Sequence, residues 1–256
     1  MGQAKDKMRR LERMRQHQPF CVYCGGKTPI ETIEHIPPIS MFDHRFRPEG
    51  LEFGACYACN HNSRLDDMAL AVVSRCFPDP VGNALMEEAR RHIAALLNNW
   101  PELSLEMLPS LRQVQMAQTA DGVAGALNAG GPLLNRAMER VGLRLGLALH
   151  CDQTGLIVPQ AGGVLVRWYT NYQERIGRFP EDLLRPLGPP QTLKQGKRSA
   201  EGQFEFSSRS MPEGAMSAHL SRFRQAFVIV SLVTMDRGLL PDEGIAPLML
   251  PGALRD

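Results

Sequence analysis

Apolar positions along the chain follow two textures. At helical spacing they recur in "NALMEEARRHIAALLNNW" (83–100) and in "GPLLNRAMERVGLRLGLALH" (131–150), where Leu134, Met138, Val141, Leu145 and Leu149 fall on one face. Both stretches read as helices with core-facing stripes. After Cys151 the texture changes to short runs rich in Val, Ile and aromatic residues, separated by Gly and Pro: "GLIVP", "GGVLVRWYT", "QFEFSSR" and "AFVIVSLV". Helices followed by a small, mostly antiparallel sheet predict an α+β domain. Two prolines, an Asp and a Gly in "CFPDPVGN" (76–83) interrupt the helical pattern and mark the first break. The expected divisions are a basic arm over 1–20, a compact module over 21–75 and a C-terminal α+β domain over 84–256.

The module has its own order of elements. "TIEHIPP" puts Glu34 and His35 at the end of a short extended stretch, and Pro37-Pro38 prevents a helix there and turns the chain away. "CNHNSRLDDMALAVVSR" begins with cap-forming residues and continues into an amphipathic helix with Leu65, Met68, Ala69, Val72 and Val73.

Length and composition set the class. With 256 residues and 43% hydrophobic content, the chain supports a buried core. It has no apolar run of membrane-spanning length, and the N-terminal segment lacks the apolar centre of a secretory signal, so the expectation is a cytoplasmic protein. A net charge of +2 is too mild to mark a nucleic-acid binder. Its distribution is more telling. Residues 1–20 carry six basic side chains (Lys5, Lys7, Arg9, Arg10, Arg13, Arg15) against Asp6 and Glu12, so the arm is +4 and the remainder −2. Met8, Leu11 and Met14 would form the packed side of a short helix, leaving the arginines either on a solvated face or in contact with nucleic-acid phosphates. "PLGPPQTLKQGKRS" (186–199) reads as an exposed loop, with Lys194, Lys197 and Arg198 open to the same two readings.

Cysteine usage points to metal. Cys21 with Cys24, and Cys56 with Cys59, form two C-x-x-C knuckles with 31 residues between them. Each knuckle lets two thiolates from one tight turn reach the same ion, with Gly25-Gly26 relaxing the first. Four thiolates with no spare ligand match a structural zinc; an iron–sulfur cluster and a redox pair are the alternatives. Cys76 and Cys151 read as ordinary buried thiols.

C-x-x-C, then Glu-His-Ile-Pro-Pro, then C-x-x-C-Asn leading into a helix resembles the zinc-containing HNH endonucleases, whose fold is the ββα-metal, treble-clef type. The resemblance covers about residues 18–75. It implies hydrolysis of DNA phosphodiester bonds, with RNA as the other target, by water activated at His35 on a Mg²⁺ or Mn²⁺ ion held by Glu34 and Asn60. Zinc would be scaffold. Carboxylate and amide oxygens suit such hard ions, and an imidazole can accept a proton near neutral pH. Many such fusions act in defence against phage. The family's middle Asn, which orients the histidine ring, has no counterpart in "RPEGLEFGAC". His61, beside Asn60, could assist; His44 and Asn62 read as surface or capping residues.

The competing reading is a non-catalytic zinc module that binds nucleic acid or a protein partner. No membrane partner is expected, and homo-oligomerisation through the C-terminal domain is compatible with either. Asp66 and Asp67 sit on the first helical turn, where acids offset the positive helix end, hold Arg64 or the knuckle, or ligate metal. His92 and His219 lie in helix-like surroundings and read as packing or surface residues. His150 beside Cys151 lacks the companions a nucleophile needs. Trp168, Tyr169 and Tyr172 either stack bases or belong to a half-buried sheet.

Overall fold

The computed structural model describes residues 2–77, 83–107, 116–119, 122–125, 128–240 and 246–255. The chain opens with α1 (Gly2–His17), passes the first knuckle, and forms an antiparallel hairpin of β1 (Thr32–His35) and β2 (Glu52–Ala55). The second knuckle leads into α2 (Tyr57–His61) and α3 (Arg64–Val73), followed by α4 (Asn83–Asn99) and α5 (Pro101–Met107). A short hairpin of β3 (Met116–Thr119) and β4 (Gly122–Gly125) precedes the long helix α6 (Pro132–Thr154). Then come β5 (Gly163–Thr170), α7 (Asn171–Arg175), α8 (Glu181–Leu184), a small hairpin of β6 (Lys194–Gln195) and β7 (Arg198–Ser199), and β8 (Phe204–Ser210). β9 (Met216–Phe223), β10 (Phe227–Thr234) and β11 (Leu248–Met249) complete an antiparallel sheet in the order β11-β5-β10-β9-β8. The architecture is α+β: a small hairpin-and-helix module with the four cysteines, then helices on a sheet. Among the described residues no helix is long and apolar enough to cross a membrane.

The centre of the molecule is α6. All five predicted stripe residues are buried, but so are Leu143, Arg144, Leu147, Ala148 and His150 on other sides of the helix. A helix buried all round needs a partner on each face. One face lies on the sheet, where Gly142 and Gly146, one turn apart, permit close approach: a Cβ at Gly142 would come 2.2 Å from Val166 Cγ1. Ser231 Oγ on β10 donates to the Gly142 carbonyl across this seam, at 3.0 Å. Another face meets α3 and the first knuckle, and the buried apolar residues of the module and the sheet form one continuous core.

Several expectations change. "GLIVP" forms no strand; its glycine caps α6 in the left-handed conformation and Val158 alone is buried. His219 lies on strand β9, not a helix; "MSAHLSRF" alternates buried and half-buried positions at strand period, with mixed polarity that hides the pattern. The 186–199 segment is no plain loop, because Leu187 and Leu193 are buried and a hairpin forms. The single helix expected after the second knuckle is two, parted at Asn62-Ser63, where Ser63 Oγ donates to the Asn60 carbonyl at 2.8 Å. On α1, Leu11 and Met14 are half-buried but Met8 is exposed. The proposed break at 76–83 falls mostly outside the described residues.

Candidate functional site

The four knuckle cysteines converge. Cys21 caps and Cys24 ends a single 3-10 turn closed by Gly25 and Gly26 at φ 68° and 70°, and the Gly26 N–H donates to the Cys21 carbonyl at 3.1 Å. Cys56 precedes α2 and Cys59 lies within it. All four are buried, and their sulfurs lie within 4.8 Å of one another. A tetrahedral zinc at about 2.3 Å from each sulfur sets them about 3.8 Å apart, so the donor set fits a closed thiolate site after a small contraction. The cage joins the chain before β1 to the helix after β2.

The hairpin it holds has two unlike faces. Cross-strand partners share a face, and the register pairs Glu34 with Phe53 and Thr32 with Ala55 on one side, His35 with Glu52 on the other. The inner face looks into the molecule. There Glu34 is 5% exposed and Oε1 accepts a hydrogen bond from Nη2 of Arg144, which reaches over from α6. Nη1 of Arg144 donates to Asp67 on α3 at 2.5 Å. Burial pushes the Glu34 carboxyl above the usual range, against the pull of Arg144. Burial also opposes the charge on Arg144, but Asp67 and Glu34 outweigh it and hold the guanidinium protonated. Asn60 joins the inner face through Thr32, to whose Oγ1 its amide donates at 2.8 Å. Among the described residues, Glu34 Oε2 and Asn60 Oδ1 carry no hydrogen bond.

The outer face looks out. The His35 side chain is 41% exposed, and its Nδ1 lies 3.4 Å from Glu52 Oε1. This separation is long for a hydrogen bond, and Nδ1, itself buried, has no nearer partner. Glu52 Oε2 takes a bond from Arg10 of α1 at 2.5 Å. Its contact with His35, aided by Arg10, pulls the Glu52 carboxyl down to about 2 against the effect of burial. Arg47 fixes the loop between the strands by donating to the carbonyls of Ile36, Pro37, Pro48, Gly50 and Leu51, at 2.7–3.3 Å. The turn after His35 is thereby tied to the residues before Glu52.

Thus Glu34 and Asn60 share a face, while His35 leaves the strand on the other. A carboxylate and an amide oxygen are hard donors of the type a divalent ion takes, but Glu34 is buried and held by Arg144. The remaining candidates have separate roles. His61 stacks on Tyr57 with ring centroids 5.0 Å apart. Asn62 donates to the Arg255 carbonyl at 3.2 Å, and His44 is exposed, with its backbone N–H on Glu88. Asp66 and Asp67 pair with Arg140 and Arg144 rather than Arg64. His92 lies on α4 beside Glu88. His150 and His219 sit in a buried chain: His150 Nδ1 to Ser217 Oγ at 2.8 Å, Ser217 Oγ to His219 Nε2 at 2.7 Å, and His219 Nδ1 to Ser208 Oγ at 2.8 Å. Cys76 and Cys151 are half-buried rather than buried, with thiols pushed up to about 12 and 11 by burial. Trp168 and Tyr169 are half-buried on β5, whereas Tyr172 is exposed on α7.

Arg144, Glu52 and Arg10 were not singled out by chemistry in the sequence. An arginine inside "VGLRLGLALH", apolar on every side, is the signal for Arg144, because a buried guanidinium requires acidic partners. Glu52 lies within the same "RPEGLEFGAC" that lacks an Asn, and only the register brings it to His35. Comparison with protein-family models, curated proteins and solved structures returned no match.

Proposed function

We propose that the chain is an endonuclease of the HNH type, hydrolysing phosphodiester bonds of nucleic acid, DNA first, with His35 as general base. One observation carries this reading: a half-exposed imidazole at the end of a zinc-type hairpin, with its Nδ1 against an ionised carboxylate. A carboxylate at Nδ1 favours the proton on that nitrogen and leaves Nε2 as the acceptor for a proton from water. Glu52 then acts as the ring's orienting partner, with Arg10 fixing the carboxylate. The HNH resemblance gives Glu34 and Asn60 to a Mg²⁺ or Mn²⁺ ion that would supply positive charge for the scissile phosphate; both lie on the hairpin face opposite His35, which weighs against ion and base acting on one water. Arg144 neutralises Glu34 in the ion's absence.

Engagement of Glu34 by Arg144 also favours a second reading, a zinc module that binds nucleic acid without cutting it. A nicking assay separates the two. Zinc-loaded protein with Mg²⁺ or Mn²⁺ should cut plasmid DNA, and His35→Ala should lower the rate by about 100-fold or more with zinc content unchanged. Equal cutting by both proteins would remove His35 as base. Salt-sensitive binding with no cutting under either ion would leave the second reading.

A further inference from the structure

The β1–β2 hairpin and its loop are contacted by two basic elements far apart in sequence. α1 is attached through Arg10 to Glu52. Arg13 lies one turn along from Arg10, and Arg9 and Arg13 are i,i+4 neighbours; both are exposed and enter no ion pair among the described residues. The β6–β7 hairpin is seated on the segment leading into β2. Gln195 Oε1 accepts from the Glu49 N–H at 3.3 Å, and the Arg198 guanidinium carbon lies 5.8 Å from the centroid of the Phe46 ring. Buried Leu193 packs against Gly50, where a Cβ would be 3.3 Å from Leu193 Cδ2. Lys194, Lys197 and Arg198 are all exposed. His35 stands across the strand pair from Glu52, the residue to which Arg10 is bound.

We propose that α1 and the β6–β7 hairpin form one bipartite surface for the two phosphate backbones of duplex DNA, with His35 between its halves. The inference rests on the nucleic-acid reading above and adds a partner geometry to it. Residues 46 to 52 span at most about 20 Å even when fully extended. Groove widths of about 6 and 12 Å fall within that reach, so each basic element can meet a different strand. Exposed Glu49 lies on the segment between the two basic elements. An arginine held over an exposed phenylalanine keeps its charge available to phosphate while its stem is fixed. The sheet domain thereby supplies half of the contacts.

The test uses the zinc-loaded, full-length His35→Ala protein without divalent ions, so binding is read independently of cutting. A short fluorescent duplex is titrated by anisotropy between about 50 and 200 mM salt. Replacing Lys194, Lys197 and Arg198 together by Ala should weaken binding about tenfold or more, as should replacing Arg9 and Arg13 together. Each should lower the slope of log affinity against log salt by about 0.9 for every phosphate no longer neutralised. Unchanged affinity and slope for the hairpin variant, with zinc content and circular dichroism intact, would overturn the proposal. So would equal affinity and slope for a single strand of the same sequence. A protein that binds as expected but never cuts plasmid DNA would sink the nuclease reading and leave the surface standing.

Discussion

The two faces of the β1–β2 hairpin carry the same kinds of group to opposite ends. Inside, Glu34 meets a buried arginine from a helix more than a hundred residues away in sequence, and the pair is part of the core. Outside, Glu52 meets an exposed arginine from the N-terminal helix, and a histidine shares its carboxylate. Burial separates the outcomes. A charge pair taken out of water depends on both partners, because removing one leaves the other uncompensated. A pair near the surface contributes little to stability and can instead be used to orient a ring. Adjacent residues, Glu34 and His35, thus sit in opposite settings, one paired in the core and one half-exposed at the surface, separated only by the alternation of a strand.

A zinc held by the cysteine cage would contribute on the order of 10 kcal/mol, so stripping it with a chelator, or replacing Cys56 by Ser, should unfold the hairpin together with both of its faces and erase the distinction. Hydrogen exchange checks this: amides of residues 21–75 should lose protection before those of β5, β9 and β10.

The inner face is the next most sensitive. Arg144→Met strands the buried Glu34 carboxylate and the half-buried Asp67 and should cost about 3–5 kcal/mol in urea denaturation. Glu34→Gln in the same background should recover part of that loss. If Arg144→Met were neutral alone, the buried pair would not depend on both partners.

On the outer face stability should move less. Arg10→Ala should cost no more than about 1 kcal/mol and Glu52→Gln about 1–3 kcal/mol, each lowering any cleavage rate through the disposition of His35. His35→Ala should stay within about 0.5 kcal/mol of the parent. A larger loss would place His35 in the core's service rather than the reaction's.

Acid sharpens the same contrast. Glu52 is held down to about 2, below its unfolded range near 4.3, so its stabilising contribution is complete above that range and is lost as pH falls through about 2. Glu34 shifts the other way, so protonation favours rather than weakens its folded form. Between about pH 5 and 3, Glu52→Gln should therefore flatten the decline in stability seen in the parent protein, whereas Glu34→Gln should not.

Much of this was legible in the sequence, and the gaps have physical causes. The cysteine cage, the stripe on α6 and three strands of the sheet follow from spacing and period alone. β9 escaped because its outward positions mix Met, Ala, Leu and Arg, which blurs the alternation. The Glu34, His35 and Asn60 set was readable as residue types, but their division between two faces depends on register. Arg144, Arg10 and Glu52 form pairs across long sequence separations, and no local pattern reports such pairs. The partners of Asp66 and Asp67 were missed for the same reason.

The glycine seam under α6 fixes the thickness of the joint between helix and sheet, and that thickness is in effect a tolerance on the hairpin. Gly142 is two residues from Arg144 on the same helical turn. A single methyl group added there would meet Val166 and Ile229 and would have to lift the helix or push the sheet aside. Either movement resets the reach of Arg144 toward Glu34, so the fit of strands in the far half of the chain gauges how firmly that carboxylate is held.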